Sequence, residues 1–151
     1  METVKPWVYV RASLPGDSWL VLSHLRPEEV RELEACGTSS EECLRIGIAS
    51  GTAQTLFIHN EAAGIFGVLI DEGTPVAWGI FTDVIDRYPV TFLRFCRRWM
   101  ARRHGDLFNH VDARNVRAQK WFRWLGFAVG EPQALGVRGE LMREVRREVH
   151  G

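Results

Sequence analysis

Two titratable side chains stand at the ends of predicted strands, where they could exchange protons with a substrate. His110 is the next-to-last residue of a β-rich run over residues 107–111. A histidine titrates near neutral pH, so it could accept a proton directly or through a water molecule. Asp83 follows the β-rich run that ends at Phe81 and is a second candidate base. Each also has a structural explanation, because neighbours can satisfy a strand histidine and an aspartate can cap a turn.

The segment that follows His110 has the spacing of a strand end, a loop and a short helix. Asn115 is a good N-cap for a helical run over residues 116–125. Gly126 then supplies the left-handed conformation that closes a helix, and Phe127 starts a new strand. The sequence therefore predicts a short helix, capped by Asn115, that returns the chain directly to a sheet.

The composition predicts one domain with a packed core. The chain has 151 residues, of which 46% are hydrophobic, with six Trp and eight Phe. It shows no run of about 18 apolar residues and no charged-then-apolar N-terminal segment, so we expect no membrane span, no secretory signal and a cytoplasmic location. The cysteines, Cys36, Cys43 and Cys96, are odd in number and lack metal-ligand spacing. We therefore expect buried free thiols and no metal site.

Charge is balanced over the whole chain but unevenly distributed along it. Residues 17–42 contain seven acids and two arginines, whereas residues 87–123 contain ten bases and two acids. A basic second half suits a polyanionic ligand. Arginines on the solvated faces of two helices would explain the same pattern, so both interpretations stand.

The order of strand and helix signals predicts an α+β protein. Apolar residues alternate in the strand runs and recur at helical spacing elsewhere, and Pro, Gly and Ser mark the boundaries. The predicted elements are a strand at 4–11, helices at 17–24, 27–36 and from 39 or 40, an antiparallel meander at 54–60, 64–70 and 76–81, a helix at 88–104, a strand at 107–111, a helix at 116–125, and a final strand pair from 127 to 149.

The spacing V-x-x-x-N-x-x-A-x-x-(apolar)-(aromatic)-x-x-x-G-F, from Val111 to Phe127, resembles the C-terminal signature of the GNAT (Gcn5-related N-acetyltransferase) superfamily. The opening strand and the helix over residues 26–37 also resemble a divergent group of small bacteriophage proteins within it. The resemblance implies a single domain over residues 1–151, with a central mixed, mostly antiparallel sheet flanked by helices. It implies acetyl-CoA as cofactor and an amine as acceptor.

In that family, a glycine-rich loop after the fourth strand cradles the pyrophosphate of the cofactor. Arg87 fits the first position of this loop, but Val90 and Phe92 stand where glycine and a small residue are expected. Pro89 has no N–H to donate. The helix N-terminus at Thr91 could still attract an anion. The resemblance thus predicts cofactor contacts at six positions: Phe81, Arg87, Val90, Thr91, Phe92 and Asn115.

The resemblance also concerns the proton donor and acceptor. Family members that acetylate amines often carry a glutamate at the position of His110 and a tyrosine at the position of Phe122, which protonates the departing thiolate. Phenylalanine cannot give a proton, so Phe122 is interpreted as a core residue. The leading hypothesis is an acetyl-CoA-dependent N-acetyltransferase with His110 or Asp83 as base. Its acceptor would be an amine of a small molecule or a protein.

The departures at Pro89, Phe92 and Phe122 favour a second hypothesis, a noncatalytic protein of the same fold. Such a phage protein would bind a host or virion protein, in the host cytoplasm or the virion. Nucleic-acid binding is not favoured, because the sequence lacks a Lys/Gly-rich pattern with stacking aromatic residues. Three tryptophans are expected at the surface, where they would suit a contact surface or a homodimer: Trp19, Trp78 and Trp124.

Overall fold

A mixed β-sheet of eight strands forms the centre of the protein. This computed structural model describes residues 7–103 and 105–148, and helices flank the sheet in that part of the chain. The elements are β1 (Val8–Ala12), α1 (Asp17–Leu22), α2 (Pro27–Ala35), α3 (Ser40–Ala49), β2 (Gln54–Ile58), β3 (Glu61–Asp71), β4 (Thr74–Phe81), α4 (Val84–Arg87), α5 (Pro89–Ala101), β5 (Leu107–Asp112), α6 (Val116–Trp124), β6 (Ala128–Val129), β7 (Gln133–Ala134) and β8 (Leu141–Arg147).

The strands lie in the order β1-β2-β3-β4-β5-β8-β6, and β7 pairs with β8 beside this path. Within the described residues, all pairings are antiparallel except that of β4 with β5, which is parallel and joins Val76 to Phe108. Beyond this pair, β4 runs on to Phe81 and β5 to Asp112 without pairing to each other. The two strands therefore diverge and leave a cleft in the sheet. The predicted α+β class, with a mixed, mostly antiparallel sheet flanked by helices, is confirmed.

Different helices cover the two faces of the sheet. Ile65 of β3 packs with Val21 of α1 and with α3, whereas the next residue, Phe66, packs with Phe92 of α5 and with α6. Successive strand residues point to opposite faces, so the two helix groups lie on opposite sides of the sheet. Helices α1 to α3 carry seven acids and two arginines, whereas α5 and α6 carry five arginines, one lysine and no acid. The uneven charge along the sequence thus becomes a difference between two faces.

Local signals set most of the helix ends. Pro27 opens α2, and Gly37 follows that helix with φ of 78°. The Ser39 hydroxyl accepts a hydrogen bond from the Glu42 N–H at 3.2 Å and caps α3. These boundaries agree with the sequence prediction. They depend on contacts between near neighbours, which is why the sequence shows them.

Two local features differ from the sequence prediction. Residues 60–63 were expected to form a loop, but β3 already begins at Glu61. The turn consists of His59 and Asn60, whose φ angles of 52° and 68° suit the tight hairpins that match the twist of a sheet. The short helix α4 between β4 and α5 was not predicted. Four residues carry too little periodicity to indicate a helix.

Other differences concern the ends of elements and the exposure of side chains. Part of the strand predicted at 4–11 lies outside the described residues, as does the end of the helix predicted at 88–104, and α5 ends at Ala101. Cys36 is exposed rather than buried. Trp78 is half-buried because its ring lies against the backbone of Gly47. The expected exposure of Trp19 is confirmed at 76%.

A buried ion pair fixes the first helix to the sheet. Asp17 is only 3% exposed and accepts two hydrogen bonds from the Arg11 guanidinium, at 2.7 and 2.9 Å. The Leu14 N–H and the Thr55 hydroxyl also donate to it, at 2.9 and 2.8 Å. Burial raises the pKa of Asp17, but these hydrogen bonds outweigh it and hold the pKa below the ordinary 3.8. The network joins α1 to β1 and β2.

We predict that Asp17→Ala lowers the free energy of unfolding by about 3 kcal/mol at pH 7, because it leaves the Arg11 guanidinium without its partner. The contribution of Asp17 is present above pH 3.8 and is lost as the pH falls through its depressed pKa. The difference in free energy of unfolding between the variant and the wild type should therefore become smaller in strong acid. Urea denaturation measures both effects, with the exposed Glu131→Ala as control. An equal decrease in the free energy of unfolding in Asp17→Ala and Glu131→Ala would contradict a stabilising role for the ion pair.

Candidate functional site

A cavity of about 460 Å³ lies where β4 and β5 diverge, and α2, α5 and α6 contribute to its walls. Aromatic rings form much of the lining. The Phe92 ring stacks on the Trp121 ring with centroids 5.9 Å apart, and the Phe81 ring meets Phe92 edge-on at 4.9 Å. Phe66 and Trp99 form a second edge-to-face pair at 5.4 Å. The cavity therefore offers an apolar interior with polar groups at a few positions.

The main chain of β4 faces this cavity. Asp71 and Thr74 flank a two-residue turn, so hydrogen-bonded pairs with β3 alternate from that point. Ala77, Gly79 and Phe81 therefore direct their N–H and C=O groups away from β3. The Asn109 side chain reaches across the gap and donates to the Ala77 carbonyl. No strand pairs with Gly79 or Phe81 on this side in the described chain.

Two glutamates of α2 line the cavity, Glu29 and Glu32. The side chain of Glu29 is 14% exposed and lies 3.7 Å from the Arg26 guanidinium. Burial raises the pKa of Glu29 to about 8, and the charge of Glu32 adds to the rise, whereas Arg26 and the Phe81 N–H oppose it. Glu29 is thus a carboxyl group that exchanges its proton near physiological pH.

Glu32 connects α2 to the start of α6. Its carboxylate accepts hydrogen bonds from the Asn115 side-chain amide at 2.9 Å and from the Asp112 N–H at 3.4 Å. Burial raises the pKa of Glu32, although both hydrogen bonds lower it. Asn115 also caps α6, because its side-chain oxygen accepts from the Ala118 N–H at 3.1 Å. Both ends of the Asn115 amide are therefore engaged within the protein.

Helix α4 closes one side of the cavity through an ion-pair bridge. The Asp86 carboxylate lies 3.2 Å from Arg26 and 2.7 Å from Arg117, both of which line the cavity. Arg26 is 13% exposed, and its Nε is the atom that lies 3.2 Å from Asp86, although not in hydrogen-bond geometry. The Trp121 N–H is also buried and faces only the Cys96 sulfur, a weak acceptor. An oxygen atom of a ligand could satisfy the Trp121 N–H.

Comparison with known proteins identifies the fold. No family model matches the chain, and no curated protein sequence matches it. A GNAT-family acetyltransferase from Streptococcus agalactiae 2603 has a TM-score of 0.66 at 11% identity, with 95% of this chain and 96% of that chain covered. The ribosomal-protein-S18-alanine N-acetyltransferase from Escherichia coli has a TM-score of 0.60 at 13% identity, with 96% and 97% covered.

The chain has the GNAT fold. A third solved structure with this fold, RimL, a ribosomal-protein α-N-acetyltransferase in complex with coenzyme A, has a TM-score of 0.60 at 14% identity, with 94% of each chain covered. The resemblance inferred from the spacing of Val111 to Phe127 is confirmed at the level of fold. The similarity to bacteriophage proteins stays a prediction.

The structure places four predicted site residues in the cavity wall of this GNAT fold: Phe81, Phe92, His110 and Asn115. His110 is half-buried and lies edge-on to Phe108, with centroids 4.9 Å apart. It lines the same cavity as Glu29, so the cavity contains two candidate bases.

The other four predicted residues, Asp83, Arg87, Val90 and Thr91, are not part of the cavity wall in the described structure. Asp83 is exposed before α4. Arg87 pairs with Glu61 at 2.9 Å, and both side chains are about half exposed. Val90 and Thr91 lie in the first turn of α5. Their roles in cofactor binding or catalysis stay predictions.

Sequence reasoning missed Glu29, Glu32 and Arg26. A signal existed, since the two glutamates are three residues apart and share a helix face. However, acids are common in the first turn of a helix, where they favour the helix dipole. The sequence could not show that β4 and β5 diverge opposite this helix face and leave a cavity beside it.

We predict that Glu29→Gln changes how stability depends on pH. In the folded protein the pKa of Glu29 is about 8, against 4.5 for an ordinary glutamate. The protonated side chain therefore contributes fully to the free energy of unfolding below pH 4.5. As the pH rises from there towards 8, the free energy of unfolding of the wild type falls by about 1.4 kcal/mol per pH unit. Glutamine cannot ionise, so the free energy of unfolding of the variant should fall less than that of the wild type between pH 5 and 9. Thermal unfolding across this range measures the difference, with the exposed Glu34→Gln as control. Identical slopes in all three proteins would contradict the burial of Glu29.

Proposed function

We propose that the protein binds an acyl-CoA in the cleft between β4 and β5 and transfers its acyl group, an acetyl group in the simplest case, to an amine. The observation that supports this most is the position of Glu29. Its carboxyl group lines the cavity beside the Phe81 N–H and has a pKa of about 8. A carboxyl group with that pKa can accept a proton from an amine at the pH of a cell.

The edge of β4 suits the pantetheine arm of the cofactor. This arm is extended and contains amides, and in the described chain no strand uses the main-chain groups that Gly79 presents to the cleft. The Phe81 carbonyl is likewise unpaired by a strand, whereas the Phe81 N–H faces Glu29. The aromatic walls suit its apolar segments. The structure of RimL contains coenzyme A, so a protein of this fold accommodates the ligand.

The phosphates would have fewer preformed partners. Pro89 removes one N–H from the start of α5, but Val90 and Thr91 keep first-turn N–H groups that no helical carbonyl can use. Lys120 adds a positive charge at the cavity wall. Arg87 could bind a phosphate only if its ion pair with Glu61 were broken. We therefore expect phosphate binding that depends strongly on salt.

Each residue of the site has a specific role in the proposed reaction. When bound, the cofactor supplies an activated acyl carbon on a thioester. Glu29 would accept the proton that the amine loses when its nitrogen replaces sulfur on that carbon. Phe122 has no proton to give, so the sulfur that leaves would be protonated by solvent. Glu32 holds Asn115 and thereby keeps α2 in position beside α6. His110 remains the second candidate base.

A noncatalytic protein of the same fold is the second candidate function. The observation that favours it is the stack of Phe81, Phe92 and Trp121, which occupies part of the cleft between α5 and α6. In that case the protein would act by binding a host or virion protein. The exposed ring of Trp19 would suit such a contact.

We predict that acetyl-CoA binds the purified protein in calorimetric titration and that a panel of amines reveals turnover. Glu29→Gln should lower kcat/KM about 100-fold or more, because it removes the proton acceptor, while the Kd for acetyl-CoA changes little. The wild-type rate should rise with pH up to about 8, as Glu29 loses its proton.

Glu34→Gln, on the exposed side of the same helix, is the matched control. Full activity in Glu29→Gln together with loss in His110→Ala would transfer the role of base to His110. Absence of binding at millimolar acetyl-CoA would leave the noncatalytic function.

A further inference from the structure

Arginines dominate one surface that the proposed reaction does not use. Helix α5 and the residues after it carry exposed arginines, and the nearby α6 adds one more. The two helices meet at this surface, because the Arg97 guanidinium lies over the Trp124 ring, 4.1 Å from its centroid. We call this surface the arginine face and define it by six residues: Arg94, Arg97, Arg98, Arg102, Arg103 and Arg123.

These arginines differ from most of those elsewhere in the fold. Arg11, Arg26, Arg87, Arg114 and Arg117 all form ion pairs with acids. In contrast, no ion pair joins a guanidinium of the arginine face to an acid within the described part of the chain. The segment from residue 88 to residue 105 contains no acidic residue at all. Five of these positive charges lie within ten residues of one another and repel, so an anionic partner would relieve an electrostatic cost.

The shape of the arginine face indicates a partner with several charges. Residues 94–103 extend over about 14 Å if the helical rise of 1.5 Å continues. One pyrophosphate group is much shorter than this. None of the six arginines lines the cavity, although Trp99 and Trp124, which Arg103 and Arg97 cover, do. The face therefore borders the proposed cofactor site without being part of its wall.

The side chains on the arginine face distinguish nucleic acid from a membrane. A helix that lies on a membrane needs an exposed apolar side. The apolar side of α5 is instead buried, with Phe92, Cys96 and Met100 in the core. Guanidinium groups fit phosphates through paired hydrogen bonds. Two of the guanidinium groups lie over tryptophan rings. Arg97 covers the Trp124 ring, and Arg103 lies 4.1 Å from the centroid of the Trp99 ring.

We propose that the arginine face binds the phosphodiester backbone of a nucleic acid without reading its sequence. Contacts to phosphates position a protein on nucleic acid but do not identify bases. All six side chains carry guanidinium groups, which bind phosphates and, among the bases, guanine, so the face lacks the mixture of donors and acceptors that a sequence-specific site uses. The sequence did not favour nucleic acid, because it lacks a Lys/Gly-rich pattern with stacking aromatic residues. The structure adds that α5 and α6 meet at the arginines and that Arg97 and Arg103 cover tryptophan rings.

The test is the binding of fluorescently labelled random-sequence duplex and single-stranded nucleic acid by the full chain, followed by anisotropy at several NaCl concentrations. The logarithm of the affinity should fall with the logarithm of salt with a slope of about −3 or steeper, as for three or more neutralised phosphates. The double variant R94E/R98E should bind about tenfold or more weakly and have a shallower slope.

The matched control is R31E/R138E, which makes the same charge change at exposed positions outside the arginine face. It should bind within about twofold of the wild type if the location of the charges matters beyond the net charge. Circular dichroism verifies that both variants fold. Excess acetyl-CoA should not displace the nucleic acid, since the cavity is a different site.

Four results would overturn the proposal. One is the absence of binding at low salt, and another is equal loss in R94E/R98E and R31E/R138E. Displacement by acetyl-CoA would assign the nucleic acid to the cleft. Tighter binding to vesicles of phosphatidylcholine and phosphatidylserine than to either nucleic acid would make the arginine face a membrane-binding surface.

Discussion

The brevity of the contact between β4 and β5 is the constraint on which the rest of the site depends. Two parallel strands that meet at one residue pair cannot satisfy their facing main-chain groups further along. The protein satisfies one of them with the Asn109 side chain, which donates to Ala77. It leaves Gly79 and Phe81 facing a cavity that α2, α5 and α6 enclose. The gap costs sheet stability and supplies the space in which a ligand could complete the strand edge.

The position of α2 beside this gap explains the chemistry of its glutamates. A carboxylate in an apolar cavity is unfavourable, so Glu29 retains its proton well above the ordinary range of a glutamate pKa. Glu32 instead gains hydrogen bonds from Asn115 and Asp112, and these fix α2 to the loop before α6. One acid therefore remains able to exchange a proton, while its neighbour keeps the helix in position. The same burial that tunes Glu29 destabilises the fold in alkaline solution, which is a cost that functional sites commonly carry.

Sequence reasoning succeeded where structure depends on near neighbours. The cap at Asn115 and the turn at Gly126 could be predicted because each involves residues within one helical turn. It failed where the decisive contact is remote. Arg87 is held by Glu61, which lies 26 residues earlier in the chain, and Glu29 matters only because β4 and β5 diverge opposite α2. Family resemblance identified the fold, but it directed attention to β5 and the loop before α5 rather than to α2.

The separation of charge between the two faces links these observations. The acids of α1 to α3 lie on one side of the sheet and the arginines of α5 and α6 on the other, so these two groups of helices carry opposite charge although the net charge of the chain is zero. In the proposed functions, a polyanion would bind on the side of α5 and α6, whereas an amine would reach Glu29 through the cleft. Arg26 and Arg117 also line that cleft, but Asp86 pairs with both, so the amine would meet less positive charge on its way to Glu29.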